Sequence, residues 1–230
     1  MKQTDLGIFL HRTPFSESSA IVSYFTKDHG FRKFVFLGAK KKNAQLFPLN
    51  VQELDFYQRN DSDLGKLTGA KNALRDLEIP FHPIRSCLAF FIAEIIGKCV
   101  NHTEKDEQLF SFLVHQIQDL NDASDLKLFP HKFLIGFAEQ LGFAPQVDHD
   151  RPTSFQLDDG VFTAGHQMQN AIQGKPMELI LSLVNEAEID NTSISERREA
   201  MDALILYFRL HIEHFGQLKS KAILDTLFQA

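Results

Sequence analysis

Only two cysteines, Cys87 and Cys99, occur among the 230 residues, and that scarcity excludes a disulfide-stapled scaffold. Both fall within one helical pattern. Twelve residues apart, at about 1.5 Å of rise per residue, their Cα atoms stand roughly 18 Å from each other, beyond disulfide reach. Such a pair cannot form a cysteine zinc site either, although ten histidines leave a histidine-based site open. Long apolar runs are also lacking. No stretch reaches the roughly 18 apolar residues of a membrane span. The apolar patch of the N-terminus, MKQTDLGIFLHRTPF, is broken by His11 and Arg12, too early for the core of a signal peptide. A cytoplasmic protein with no membrane partner is expected.

Signatures of catalysis are missing too. The chain has no phosphate-cradling glycine loop, no dinucleotide fingerprint, no HExxH and no GxSxG. His211 and His214 flank Glu213 at a spacing that could hold a metal, but Leu210 and Phe215 set the trio in an ordinary amphipathic pattern, the commoner explanation. Asp148, His149 and Asp150 cluster in a polar loop of the kind that usually faces solvent. No catalytic residue, metal or cofactor is assigned, and the chain reads as a binding protein rather than an enzyme.

What is present is a substantial apolar fraction and an uneven charge. At 43% hydrophobic content the chain can bury the core of one large or two modest domains. The net charge is −6, yet residues 1–82 hold 12 Lys and Arg against 9 Asp and Glu, while residues 83–230 hold 12 against 21. Residues 1–43 alone hold 8 against 3. Concentrated positive charge is what a nucleic-acid binder requires, whatever its total.

The first 79 residues read as strands. Leu6, Ile8 and Leu10 alternate in a first strand; residues 20–26, AIVSYFT, give a second; and FRKFVFL, opened by Gly30, gives a third, the three forming a meander. VQELDFY over 51–57 and a weaker strand over 66–71 bring the count to five, which suits a small OB-type barrel or, nearly as well, an SH3-like one. In the third strand, Phe31, Lys33, Val35 and Leu37 share one face, and Arg32, Phe34 and Phe36 the other. It opens into GAKKK. Cations beside aromatic rings suit single-stranded nucleic acid, which needs Lys and Arg for phosphates and flat rings for bases. Arg12, Lys27, Arg32, Lys33, Phe34, Lys40, Lys41 and Lys42 are therefore the candidate DNA contacts. Phe34 and Tyr24 are either stacking rings or core, because a one-residue register change exchanges the two faces.

From residue 80 the period becomes helical. Pro80 and Pro83 mark the boundary. An apolar helix follows through Leu88, Phe91, Ile92, Ile95, Ile96 and Cys99, then one over 106–120 and one from Pro130 to a stop at Gly142. Asp159-Gly160 between FQL and VFT predicts a hairpin inserted at about 146–167. Helix resumes at Met177, and the Ser193/Glu196 spacing caps a long helix expected to run to Gly216. Lys219 and Lys221 open a last short helix, as surface charge or as a contact for an anionic peptide.

The order of these motifs resembles the bacterial RecO family. The residues that carry the likeness are SESSAIVSYFTKDHG after Pro14, the LGAKKK ending at Lys42, EQLGFAP from Glu139 to Pro145, and GQLKSKAIL from Gly216 to Leu224. They are collinear over nearly the whole chain. The resemblance implies an all-β plus all-α protein, with an N-terminal OB-fold at 1–79 and an α-helical domain at 80–230. It also implies a recombination mediator of DNA repair, associated with the nucleoid, that binds single- and double-stranded DNA and anneals strands. RecR and the acidic C-terminal tail of single-strand binding protein are its implied partners, and RecA loading is an indirect consequence. By charge, Lys219 and Lys221 are the candidates for the tail. Many members carry a four-cysteine zinc module after the Leu-Gly-Phe-x-Pro segment, whereas residues 146–167 here contain no cysteine. Zinc is therefore not carried over, and Phe155, Leu157, Val161 and Phe162 are expected to hold the hairpin instead. A rival reading is an adaptor whose barrel binds a peptide.

Overall fold

The computed structural model describes residues 2–37, 46–58, 62–74, 76–165, 169–189 and 191–227. These form two compact units, 1–123 and 124–230. Among the described residues no helix is long and apolar enough to cross a membrane.

Five strands open the first unit: β1 (Lys2–Pro14), β2 (Ser19–Thr26), β3 (Gly30–Leu37), β4 (Val51–Tyr57) and β5 (Leu64–Asn72). They close a barrel in the order β1-β2-β3-β5-β4, with β4 returning to β1. The meander β1-β2-β3 is antiparallel, and β3 pairs with β5 in parallel. This is the OB-type architecture expected from the resemblance, and closure removes the unpaired edges that a five-stranded sheet would otherwise expose.

Alternation fills the barrel from one face of each strand. Phe9, Val22, Tyr24, Phe34, Phe36, Leu54, Phe56 and Leu67 are all buried inside it. Gly65, the partner of Phe34 across the parallel pairing, is needed there because a Cβ would stand 2.7 Å from the Phe34 ring. One polar chain crosses the interior. The Tyr24 hydroxyl donates to Gln52 Oε1 at 2.8 Å, and Gln52 Nε2 donates to Asn72 Oδ1 at 2.9 Å. The buried phenol thus has its partner, and burial pushes its pKa up.

Two helices belong with the barrel. α1 (Pro83–Cys99) packs on β1, its Gly97 lying against His11 and Leu10. α2 (Glu107–Asp122) sets Phe110 against Phe25 of β2. Asp106 caps α2 by accepting from Leu109 N at 2.9 Å. Arg85 of α1 closes its other end, donating to the carbonyls of Leu120 and Ala123 at 3.1 and 3.0 Å. That guanidinium therefore serves as a C-cap for carbonyls the helix leaves unpaired. The compact unit thus extends well past residue 79, since the first two helices are packed on the strands.

In the second unit, α3 (Phe129–Gln140), α4 (Gly174–Val184), α5 (Ile194–His211) and α6 (Lys221–Leu227) accompany a four-stranded sheet. Its strands, β6 (Gln146–Val147), β7 (Ser154–Gln156), β8 (Val161–Thr163) and β9 (Ala171–Gln173), run in the order β6-β8-β7-β9. The hairpin predicted at Asp159-Gly160 is β7-β8, with Gly160 at φ 70°. Without cysteines it is held by stacking. Phe155 and Phe162 lie 4.2 Å apart at 14°, and Phe155 rests 5.5 Å from Tyr207 of α5. Leu157 is buried with them, while Val161 is only half-buried. Tyr207 also donates to the Phe143 carbonyl, and burial pushes its phenol up to about 12. His131, fully buried, donates Nε2–H to Arg197 O at 2.8 Å and so ties α3 to α5. Burial lowers its pKa to about 4, which keeps the ring neutral at pH 7.

α5 begins as predicted, with the complete Ser193/Glu196 capping box, but it ends at His211 rather than near Gly216. Ile212 turns extended, and Phe215 folds back, buried, to 6.1 Å from Phe208. Tertiary burial of one ring outweighs a further helical turn. His214 consequently leaves the helix, at φ 57°, and His211 stacks on Phe143 at 5.2 Å. Among the described residues no group of His, Cys, Asp and Glu is arranged to hold a metal.

Candidate nucleic-acid interface

The register of the barrel defines one continuous row of residues around it. Thr13, Ile21, Val35, Lys66 and Tyr57 are successive Cα partners from β1 through β2, β3 and β5 to β4. Where the row crosses β3, β5 and β4, its side chains alternate away from the packed interior. Lys33 pairs with Leu64 two residues along, and Leu37 closes the row on the other side. On this face Leu37 is 56%, Tyr57 47% and Leu64 38% exposed.

The face is concave. Val35, Leu37, Tyr57, Gln58, Leu64 and Lys66 line a groove of about 720 Å³. Gln58 and Ser62 also line an adjoining groove of about 360 Å³ with Phe31, Arg32 and Lys33. Asp63 and Glu104 border this second groove. Lys33 Nζ lies 5.6 Å over the Phe31 ring. Among the described residues, neither Lys33 nor Lys66 is in an ion pair with a carboxylate. The arrangement offers exposed ammonium groups beside an exposed phenol and an apolar floor. Those are the components that hold a phosphate backbone and an unstacked base.

Of the residues singled out by sequence, Arg32 and Lys33 come together here, with Arg32 Nη1 donating to Phe31 O at 2.8 Å. Arg12 is exposed near the end of β1, level with Val22 and Phe34 in the register. Lys27 lies at the β2–β3 turn and pairs with Glu107 at 3.5 Å. Asp5 fixes that turn: its buried carboxylate accepts from Asp28 N at 3.2 Å and from His29 Nδ1 at 2.6 Å. Lys40, Lys41 and Lys42 lie outside the described residues. In the second unit Lys221 is held by Asp202 at 2.7 Å and Asp225 at 2.5 Å.

Phe34 is a correction. It is fully buried, 4.9 Å from Phe56 and 6.1 Å from Tyr24, so it cannot meet a base. Tyr24 is equally buried. The inward face of β3 belongs to the barrel core because the sheet closes into a ring around it. On this face Tyr57 is an exposed ring, accompanied by Lys66, and neither was singled out by sequence. A signal existed: in VQELDFY, alternation puts Tyr57 opposite in sense to Leu54 and Phe56.

Comparison with known proteins gives the same family over both parts of the chain. The family model described as "Recombination protein O N terminal" matches residues 1–73, and that described as "Recombination protein O C terminal" matches residues 81–222. Among similar curated proteins is a "DNA repair protein RecO" of Christiangramia forsetii, 26% identical over 96% of this chain and 97% of that protein. Another of the same name, from Phocaeicola vulgatus, is 27% identical over 99% of this chain and the whole of that protein. One from Flavobacterium psychrophilum is 25% identical over 96% and 97% respectively.

Proposed function

The chain belongs to the RecO family of DNA repair proteins, and from that premise we propose that it is a recombination mediator holding DNA on the open β3-β5-β4 face of its barrel. The observation that carries the reading is the pair of adjoining grooves, one lined by Lys66 and Tyr57 and the other by Lys33. Contacts from ammonium groups to phosphates are indifferent to base sequence. A protein that grips backbones in this way can hold complementary strands while their bases remain open to each other, and annealing follows. Lys40, Lys41 and Lys42, which follow β3 in sequence, remain candidate DNA contacts by charge in this reading.

Residues 83–230, with 12 basic against 21 acidic side chains, repel DNA and suit protein contacts. RecR, the acidic tail of single-strand binding protein and, through them, RecA loading belong to the same proposal. Lys219 and Lys221 are the candidates for the tail by charge, and Lys221 is held by two aspartates. The peptide-adaptor reading finds less support, because a closed ring of five strands offers no free edge for strand addition.

The mediator role is tested by annealing complementary strands coated with single-strand binding protein, with and without its acidic tail. Annealing should be accelerated by this protein, and removing the tail should abolish most of that gain. Equal acceleration on tailless protein would reject the tail contact; no acceleration on bare strands would reject the annealing function.

A further inference from the structure

We propose that Tyr57 is a base-stacking residue and that the face around it selects unstacked bases, hence single strands. The inference rests on the DNA reading and adds the side chain that meets a base. Tyr57 closes β4 between two cationic neighbours in the register, Lys66 on β5 and Lys2 on β1. The Lys2 ammonium is compensated by Asp55 at 3.2 Å, which leaves Lys66 and the more distant Lys33 to meet phosphates. At 47% exposure, the Tyr57 ring is not part of the barrel core, and among the described residues it has no aromatic partner. Leu64, Leu37 and Val35 give the groove beside it an apolar floor.

A flat ring bordered by cations and an apolar floor matches a nucleotide whose base has left its stack. In a duplex the faces of each base are covered by the base pairs stacked above and below it, so this ring has nothing to stack on there. Phosphate contacts alone do not distinguish the two forms so sharply.

The test compares a labelled oligodeoxythymidylate with an abasic strand of equal length, using the full chain and its Tyr57→Ala and Tyr57→Phe variants. Tyr57→Ala should bind oligodeoxythymidylate roughly 5- to 150-fold more weakly, the range of one lost stacking contact. Its affinity for the abasic strand should not change, and Tyr57→Phe should stay close to the parent on both. Thermal unfolding unchanged in the variants keeps the comparison free of misfolding. If Tyr57→Ala binds oligodeoxythymidylate as tightly as the parent, or the parent binds both strands equally, the stacking role is wrong while the DNA reading stands. Should the parent bind neither strand at low salt, the DNA reading itself fails.

Discussion

Replacing Phe34 by Ala is expected to cost about 3–5 kcal/mol of folding stability, the usual penalty for emptying an aromatic-sized core site. Its ring is fully buried, contacts Phe56 and lies directly over Gly65, so neighbouring strands cannot collapse into the void without breaking the register of β3 and β5. Against a total stability of about 5–15 kcal/mol for a typical domain, that loss leaves the barrel marginal. Chemical denaturation measures it. Phe34→Leu, which keeps most of the volume, should recover more than half of the loss. A stability unchanged in Phe34→Ala would mean that the ring is on the surface after all and that the two faces of β3 are exchanged.

The second large effect is expected at Gly30. Its φ of 69° suits glycine, and a Cβ there would stand 2.4 Å from backbone atoms of Thr103 and Glu104. The left-handed conformation alone costs an alanine about 1–2 kcal/mol. Relief of the clash requires the β2–β3 turn to move off residues 103–104, which breaks the 3.0 Å hydrogen bond from Phe31 N to Thr103 O. Gly30→Ala should therefore lose roughly 3 kcal/mol or more in total. Gly142 supplies the internal control. It has φ 84° but nothing within 4 Å of its Cβ position, so Gly142→Ala should lose only about 1–2 kcal/mol. Equal losses at the two sites, measured by the same denaturation experiment, would remove the packing of the turn on residues 103–104.

These two positions also show what could be read in the sequence. Gly30 was legible as a positive-φ turn because it ends KDHG between two apolar strands, but its contact with residues 103–104 is a long-range fact that no local pattern carries. For β3 the two-residue period was legible, and with it the pairing of Lys33 and Val35 on one face. Which face pointed inward was not, since Arg32 shares parity with Phe34 and Phe36, and cations beside rings look alike on either side of a strand. Closure of the barrel decided it. α5 was legible at its start, where Ser193 and Glu196 form a local device, and illegible at its end, where burial of Phe215 overrides a continuing helical pattern. β9 was missed because three residues bounded by Gly174 offer too short a period to register. For the candidate site, Arg32 and Lys33 were found by charge and position. Tyr57 and Lys66 were not, because they join the site only through the β4–β5 and β3–β5 pairings.

The most direct measurement is a titration of a labelled single strand with the full chain over a series of salt concentrations, repeated with the Lys33→Ala/Lys66→Ala double variant. Affinity should fall linearly with salt on logarithmic axes. In the double variant that slope should be shallower by about 0.7 for each phosphate contact removed, with thermal unfolding unchanged because both side chains are exposed. A double variant whose curve superimposes on the parent's would contradict the assignment of this face. No binding by the parent at low salt would contradict DNA binding altogether.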